Sequence, residues 1–198
     1  MSAKVRIFNL FCKLTNRQLM NKRRSVSILI LLFAIAISAL GQEAIKPRPS
    51  PTAIVTMKFE DTYVKVTYCQ PHKRGRNIFG ELVPYGKVWR TGANEATEIT
   101  LTGDVLFLQD TLKAGTYSIF TIPDKNEWTV IINKQLGQWG SYNYVEKSDI
   151  LRVKVPVQQL TDIVYEPFTI AFEQQNDHAE LVMMWDKTKV SVPIEFIH

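Results

Sequence analysis

Residues 63–68 read polar and apolar by turns: Val64, Val66 and Tyr68 on one side, Tyr63, Lys65 and Thr67 on the other. A period of two is what a strand with one buried face requires. The alternation extends to residues 54–59 and 152–157, and further strand-like runs lie at 98–101, 105–108, 117–122, 128–132, 168–172, 181–185 and 190–196, with turn residues between. Nowhere do ten consecutive residues hold a 3.6-residue period with helix caps. The core must therefore be built from sheets, and the short, regular spacing predicts an all-β fold. We expect a single-domain antiparallel β-sandwich, jelly-roll-like, of about eight to ten strands. Thr102-Gly103-Asp104 reads as a hairpin turn between two of these strands. Residues 168–172 and 181–185 should pair across residues 174–178. Pro193, lacking an N–H, marks the last strand as an edge or bulged one. Gly115 and Tyr117 read as structural, a turn and a sandwich corner. Residues 136–148 (LGQWGSYNYVEKS) have no period and predict a loop. Its Trp139, Tyr142 and Tyr144 suit either sugar stacking or burial over the end of the sandwich.

The first 41 residues follow a different logic. Asn21-Lys22-Arg23-Arg24 is a positive region, residues 26–37 (VSILILLFAIAI) are apolar, and Ala39 and Gly41 put small residues at a cleavage site before Gln42. That order predicts a signal peptide over residues 1–41; a start at Met20 would give it an ordinary length. The alternative is an uncleaved membrane anchor. Residues 42–52, with three prolines, predict a linker, and residues 53–198 the sandwich domain. Seven of the 24 basic residues and none of the 19 acidic ones lie within 1–41, so the remainder carries 17 basic against 19 acidic residues. The basic balance belongs to the leader and does not argue for nucleic-acid binding. With Cys12 upstream of the cleavage site, Cys69 is the single thiol of the mature chain, and no internal disulfide can form. A periplasmic or secreted bacterial location fits, with no membrane span after cleavage.

Alternation fails over residues 74–97, RGRNIFGELVPYGKVWRTGANEAT, and sequence rules tend to fail at functional or strained positions. This stretch, with LKAGTYSIFTIP, EWTVIIN and the closing MMWDKTKVSVPIEF, resembles the domain of unknown function 2911 family of exported bacterial proteins. The resemblance runs from about residue 56 to residue 196. It implies export and a β-rich single domain, with no activity that can be carried over.

Within the stretch, Trp89 to Glu95 is the strongest candidate site. Arg90 offers a planar fork for a carboxylate, phosphate or hydroxyl pair, Trp89 a stacking face, Asn94 both donor and acceptor, and Glu95 a base or a partner for Arg90. The structural alternative is a buried Arg90–Glu95 pair beside a core Trp89. Arg76, in the basic turn Lys73-Arg74-Gly75-Arg76, adds either an anion contact or a solvated turn. Cys69 and His72 lack further metal ligands at suitable spacing, so no metal is expected, and Cys69 reads as an inert thiol. There is no P-loop, G-x-G-x-x-G or G-x-S-x-G, and no cofactor is expected.

These residues support three readings. The first is binding of a small polar or anionic ligand, glycans included, through Arg76, Trp89, Arg90, Asn94 and Glu95. The second is a hydrolase-like enzyme using Glu95 or His72 as base with Arg90. The third is a structural envelope or interaction module.

Overall fold

The computed structural model describes residues 20, 22–24 and 46–197. Most of the expected signal peptide, and His198, lie outside them. The chain divides into two units, residues 1–47 and 48–198. In the first, Met20 and residues 22–24 are helical. Among the described residues no helix is long and apolar enough to cross a membrane.

The second unit is an antiparallel β-sandwich. One sheet holds β1 (Thr52–Phe59), β2 (Thr62–Cys69), β3 (Thr97–Leu101), β6 (Gly115–Ile122), β7 (Glu127–Asn133) and β8 (Asp149–Pro156), side by side in that order. The other runs β10 (Tyr165–Gln175), β11 (His178–Asp186), β12 (Thr188–Phe196), β4 (Val105–Phe107) and β5 (Asp110–Leu112), with the two-residue β9 (Gln158–Gln159) beside β12. The predicted alternation is what fills the space between them. Val64 and Val66 of β2, Ile99 of β3, Ile119 of β6 and Val130 of β7 are buried, as are Phe168, Leu181, Val192 and Ile194 across from them. The pairing of residues 168–172 with 181–185 is present, Phe172 opposite Leu181. Tyr117 closes its corner by donating to the Lys113 carbonyl (3.1 Å), and a Cβ on Gly115 would meet the Tyr117 hydroxyl at 2.9 Å.

Two local expectations are corrected. Thr102-Gly103-Asp104 does not close a hairpin: the chain crosses there from one sheet to the other. Both edges of β3 are occupied by the longer β2 and β6, so β4 pairs instead with β12 and β5. The last strand is not at an edge either, since β12 lies between β11 and β4. Pro193 is tolerated because its carbonyl accepts from Leu108 N (2.8 Å), which turns its ring nitrogen to the same flank. On that flank β9 pairs only with residues 188–189 and β4 only with 194–196, so the ladder needs no donor at 193.

At one end of the core five aromatic rings meet edge to face or stacked. Phe79 lies 4.8 Å from Trp128, and Trp89 stacks on Trp185 at 5.9 Å and 15°. Phe168 joins this cluster, at 5.0 Å from Trp89 and 5.8 Å from Trp185, with no exposed surface. Removing its ring leaves a cavity that the neighbouring Tyr68, Trp89 and Trp185 cannot jointly refill. Phe168→Ala should therefore cost about 3–5 kcal/mol, read from urea unfolding; a loss below about 1 kcal/mol would mean that this end of the sandwich is loosely packed.

Candidate functional site

With Val64, Val66 and Tyr68 pointing inward, Thr67 and Cys69 must point to the outer face of the first sheet. Register puts Thr52 opposite Cys69 and Glu98 opposite Thr67. Cys69 is nevertheless only 3 % exposed. Two segments cover it. One is residues 48–51, just ahead of β1. The other is residues 134–148, a loop that includes the predicted 136–148, with a short 3-10 turn at Glu146–Ser148.

The long loop is fixed by its backbone. Ala96 N donates to Gln138 O (2.8 Å), Gly140 N to Asn94 O (2.8 Å), and Ser141 Oγ to Val88 O (3.1 Å). Tyr144 is tucked in, its ring 5.1 Å from Phe120 and its hydroxyl donating to Asp149 (2.6 Å). Burial first, and then the Asp149 carboxylate, push its phenol well above the usual range. Trp139 and Tyr142 are not tucked in: they are 57 % and 84 % exposed.

Residues 89–97 form a tight turn on the same edge. Trp89 and Thr121 exchange backbone hydrogen bonds (2.7 and 2.9 Å), and Thr97 N donates to Arg90 O (3.1 Å). Three buried threonines lock the turn: Thr97 Oγ1 donates to Thr91 O (2.6 Å) and Thr91 Oγ1 to Thr121 Oγ1 (3.1 Å). Thr91 and Asn94 both sit in the left-handed region (φ 54° and 55°), unusual for a β-branched residue. Gly92 lies so close to β2 that a Cβ there would stand 2.9 Å from Cys69 O.

The turn sets Glu95 beside Cys69. Its carboxylate accepts Arg48 Nη1 at both oxygens (2.8 and 3.0 Å) and the Cys69 thiol at one (3.2 Å). Its own backbone N–H, then Cys69 and Arg48, hold its pKa below the usual carboxylate range. The expected Arg90–Glu95 pair is absent, because residues 91–94 turn Glu95 away and Arg48 arrives over Cys69 instead. Arg90 is half-buried, its Nε is shielded from solvent without a partner, and its side chain makes no hydrogen bond or ion pair among the described residues. Burial lowers its pKa, opposed by Tyr142 and Cys69 nearby; a guanidinium stays charged all the same. Beside Glu95 and Cys69 lies a cleft of about 250 Å³, lined also by Thr52, Thr67, Glu98 and Gly137; Arg90 is not among its lining residues.

The remaining expected site residues fall as follows. Trp89 offers no stacking face: it is buried in the aromatic cluster, and its indole N–H donates to Gly92 O (3.0 Å). Arg76 curls onto its own turn, donating to the carbonyls of Lys73 (3.0 Å) and His72 (2.6 Å), while Lys73 pairs with Asp186 (2.6 Å) and Arg74 donates to Pro49 O (3.0 Å). Asn94 Nδ2 donates to Ser50 O (3.4 Å) and so holds the covering segment. His72 pairs by backbone with Pro167, and among the described residues its ring bonds neither Cys69 nor Glu95. No group of three or more His, Cys, Asp or Glu is placed to hold a metal among the described residues. Sequence reasoning missed Arg48, Thr52 and Thr67. Alternation could have placed Thr67 and Cys69 together on the outer face; nothing marks Arg48 within a proline-rich linker.

A family model described as a protein of unknown function, DUF2911, matches residues 50–194. No curated protein and no solved structure matches the chain.

An unpartnered half-buried cation has a signature in stability. Truncating one member of a buried ion pair costs about 3–5 kcal/mol because the other is stranded; among the described residues Arg90 has no such partner to strand. Arg90→Met, which keeps the apolar stem, should leave unfolding free energy within about 0.5 kcal/mol of the wild type or raise it. A loss of the buried-pair size in urea unfolding would make Arg90 part of the scaffold.

Proposed function

The chain belongs to the DUF2911 family, and we propose that it is an exported β-sandwich protein that binds a small polar or anionic ligand at the edge carrying Arg90, Asn94 and Glu95. The observation that supports this most is Arg90 itself. A desolvated guanidinium without an internal partner costs stability, and such costs are retained where function needs them. Its planar fork takes a carboxylate or phosphate through two parallel hydrogen bonds. Glu95, on the same turn, supplies an acceptor, and the exposed Trp139 and Tyr142 supply apolar surface.

Binding is better supported than the hydrolase-like reading. A general base works best with a pKa near the working pH, and Glu95 is shifted in the opposite direction by its backbone N–H, Cys69 and Arg48. Among the described residues the His72 ring makes no hydrogen bond to Cys69, Arg90 or Glu95. Export rests on the leader pattern of residues 21–41, and periplasmic or secreted location follows from it. Edman sequencing of the protein recovered from outside the cytoplasm should begin at Gln42; an intact N-terminus on that material would refute cleavage there.

The ligand reading is tested by a thermal-shift screen of small carboxylates, phosphates and sugars. At least one anionic compound should raise the Tm of the wild type, and Arg90→Gln should abolish the rise. A rise of the same size in wild type and Arg90→Gln would place the ligand elsewhere.

A further inference from the structure

The surroundings of Arg90 restrict the ligand beyond its charge. We infer that the site takes an acidic saccharide unit: one sugar ring bearing a single carboxylate, with the carboxylate on Arg90, the ring against Trp139 and Tyr142, and hydroxyls in the neighbouring cleft. This rests on the reading that Arg90 binds an anion, and three observations carry it further.

The first is the aromatic pair. Of the loop's three large aromatics, Tyr144 is packed against Phe120 while Trp139 and Tyr142 are left in solvent. They are not on a loose tip. Trp139 bridges Glu95 by backbone, Gly140 N donates to Asn94 O, and the Tyr142 ring rests on Gly140 so closely that a Cβ there would lie 2.7 Å away. A fixed, wet aromatic surface is suited to the apolar face of a pyranose, which keeps its hydroxyls in water at the rim.

The second is the cleft. Its Thr52 and Thr67 hydroxyls and the Glu95 and Glu98 carboxylates are acceptors for hydroxyl donors. Glu98 receives Gly137 N at Oε1 (2.8 Å), and its Oε2 accepts no hydrogen bond among the described residues. At about 250 Å³ the space falls just under the ~300–1,000 Å³ range of drug-sized pockets, which suits a single ring. The third is the charge arrangement. Glu95 is already paired with Arg48, but Glu98 in the cleft has no cation partner among the described residues, so further negative charge on the ligand is opposed there, while a neutral sugar leaves Arg90 unsatisfied. A singly charged, hydroxyl-rich ligand satisfies both sides.

The reporter is built in. Trp89, Trp128 and Trp185 are buried and Trp139 is not, so iodide quenching of tryptophan fluorescence reads Trp139. The probes are galacturonate, galactose and acetate at equal millimolar concentration, against the mature chain, Arg90→Gln and Trp139→Phe. Galacturonate should protect Trp139 and raise Tm. Arg90→Gln should weaken that response about tenfold or more, the size of a lost charge-assisted hydrogen bond. Trp139→Phe should remove the fluorescence change but keep the thermal shift, reduced. Galactose and acetate should each do little.

Acetate matching galacturonate would overturn the saccharide inference and leave Arg90 as a plain anion site. Galactose matching galacturonate, with Arg90→Gln unaffected, would overturn the inference and the Arg90 reading together. No response to galacturonate overturns the saccharide inference, and the wider anion screen then decides the parent reading separately.

Discussion

The Trp89 indole ties the core to the site. Its faces are taken up by Trp185, Trp128, Phe79 and Phe168, which fixes the ring. Its N–H then reaches Gly92 O, inside the turn that delivers Glu95. A buried carbonyl left without that donor would cost about 1–3 kcal/mol, so packing of the core and conformation of the turn are coupled. Two left-handed residues, Thr91 and Asn94, persist here because the surroundings over-determine them. The buried Thr91–Thr97–Thr121 contacts hold the turn from one side and the Trp89 ring from the other. Close approach at Gly92 completes the seating on β2, with Ala93 N donating to Cys69 O (3.2 Å).

That coupling explains what could and could not be read from the chain. Strand positions and the inward faces were legible because alternation is a local property, and burial of Val64, Val66 and Ile99 follows it residue by residue. Partner choice was not. Whether residues 98–101 pair with 105–108 depends on which longer strands compete for the same edges, and β2 and β6 win both edges of β3. Pro193 misled for the same reason: its missing N–H matters only if a neighbour lies on that flank, and the neighbours there stop short of it.

The site was legible as an anomaly and not as an arrangement. Failure of period two over residues 74–97 marked an irregular stretch, and Arg90, Asn94 and Glu95 lie on one turn of it, with Glu95 directed to Arg48 and Cys69 and not to Arg90. Trp89 misled because an indole next to an arginine serves stacking or packing equally well, and only the distant Trp185 and Phe168 settle it. Arg48 was invisible because its partner lies 47 residues away in sequence. A linker arginine carries no pattern of its own.

The two arginines end up in opposite settings, one paired and exposed, the other half-buried and without a partner among the described residues. Arg48 and Glu95 are both well exposed, with side chains 54 % and 43 % accessible, so their bond is screened by water and salt. It sits on a segment flanked by Pro47, Pro49 and Pro51, which loses little conformational entropy when it lies extended on the surface. Arg90 is the reverse: partly desolvated, fixed at its root by Thr97 and Trp89, and without a counter-ion among the described residues. Had Glu95 paired with Arg90, an incoming anion would have to displace an internal carboxylate from a low-dielectric position, where the attraction is strongest. By accepting Arg48, Glu95 is neutralised from the solvent side, and the stronger electrostatic position at Arg90 is left open.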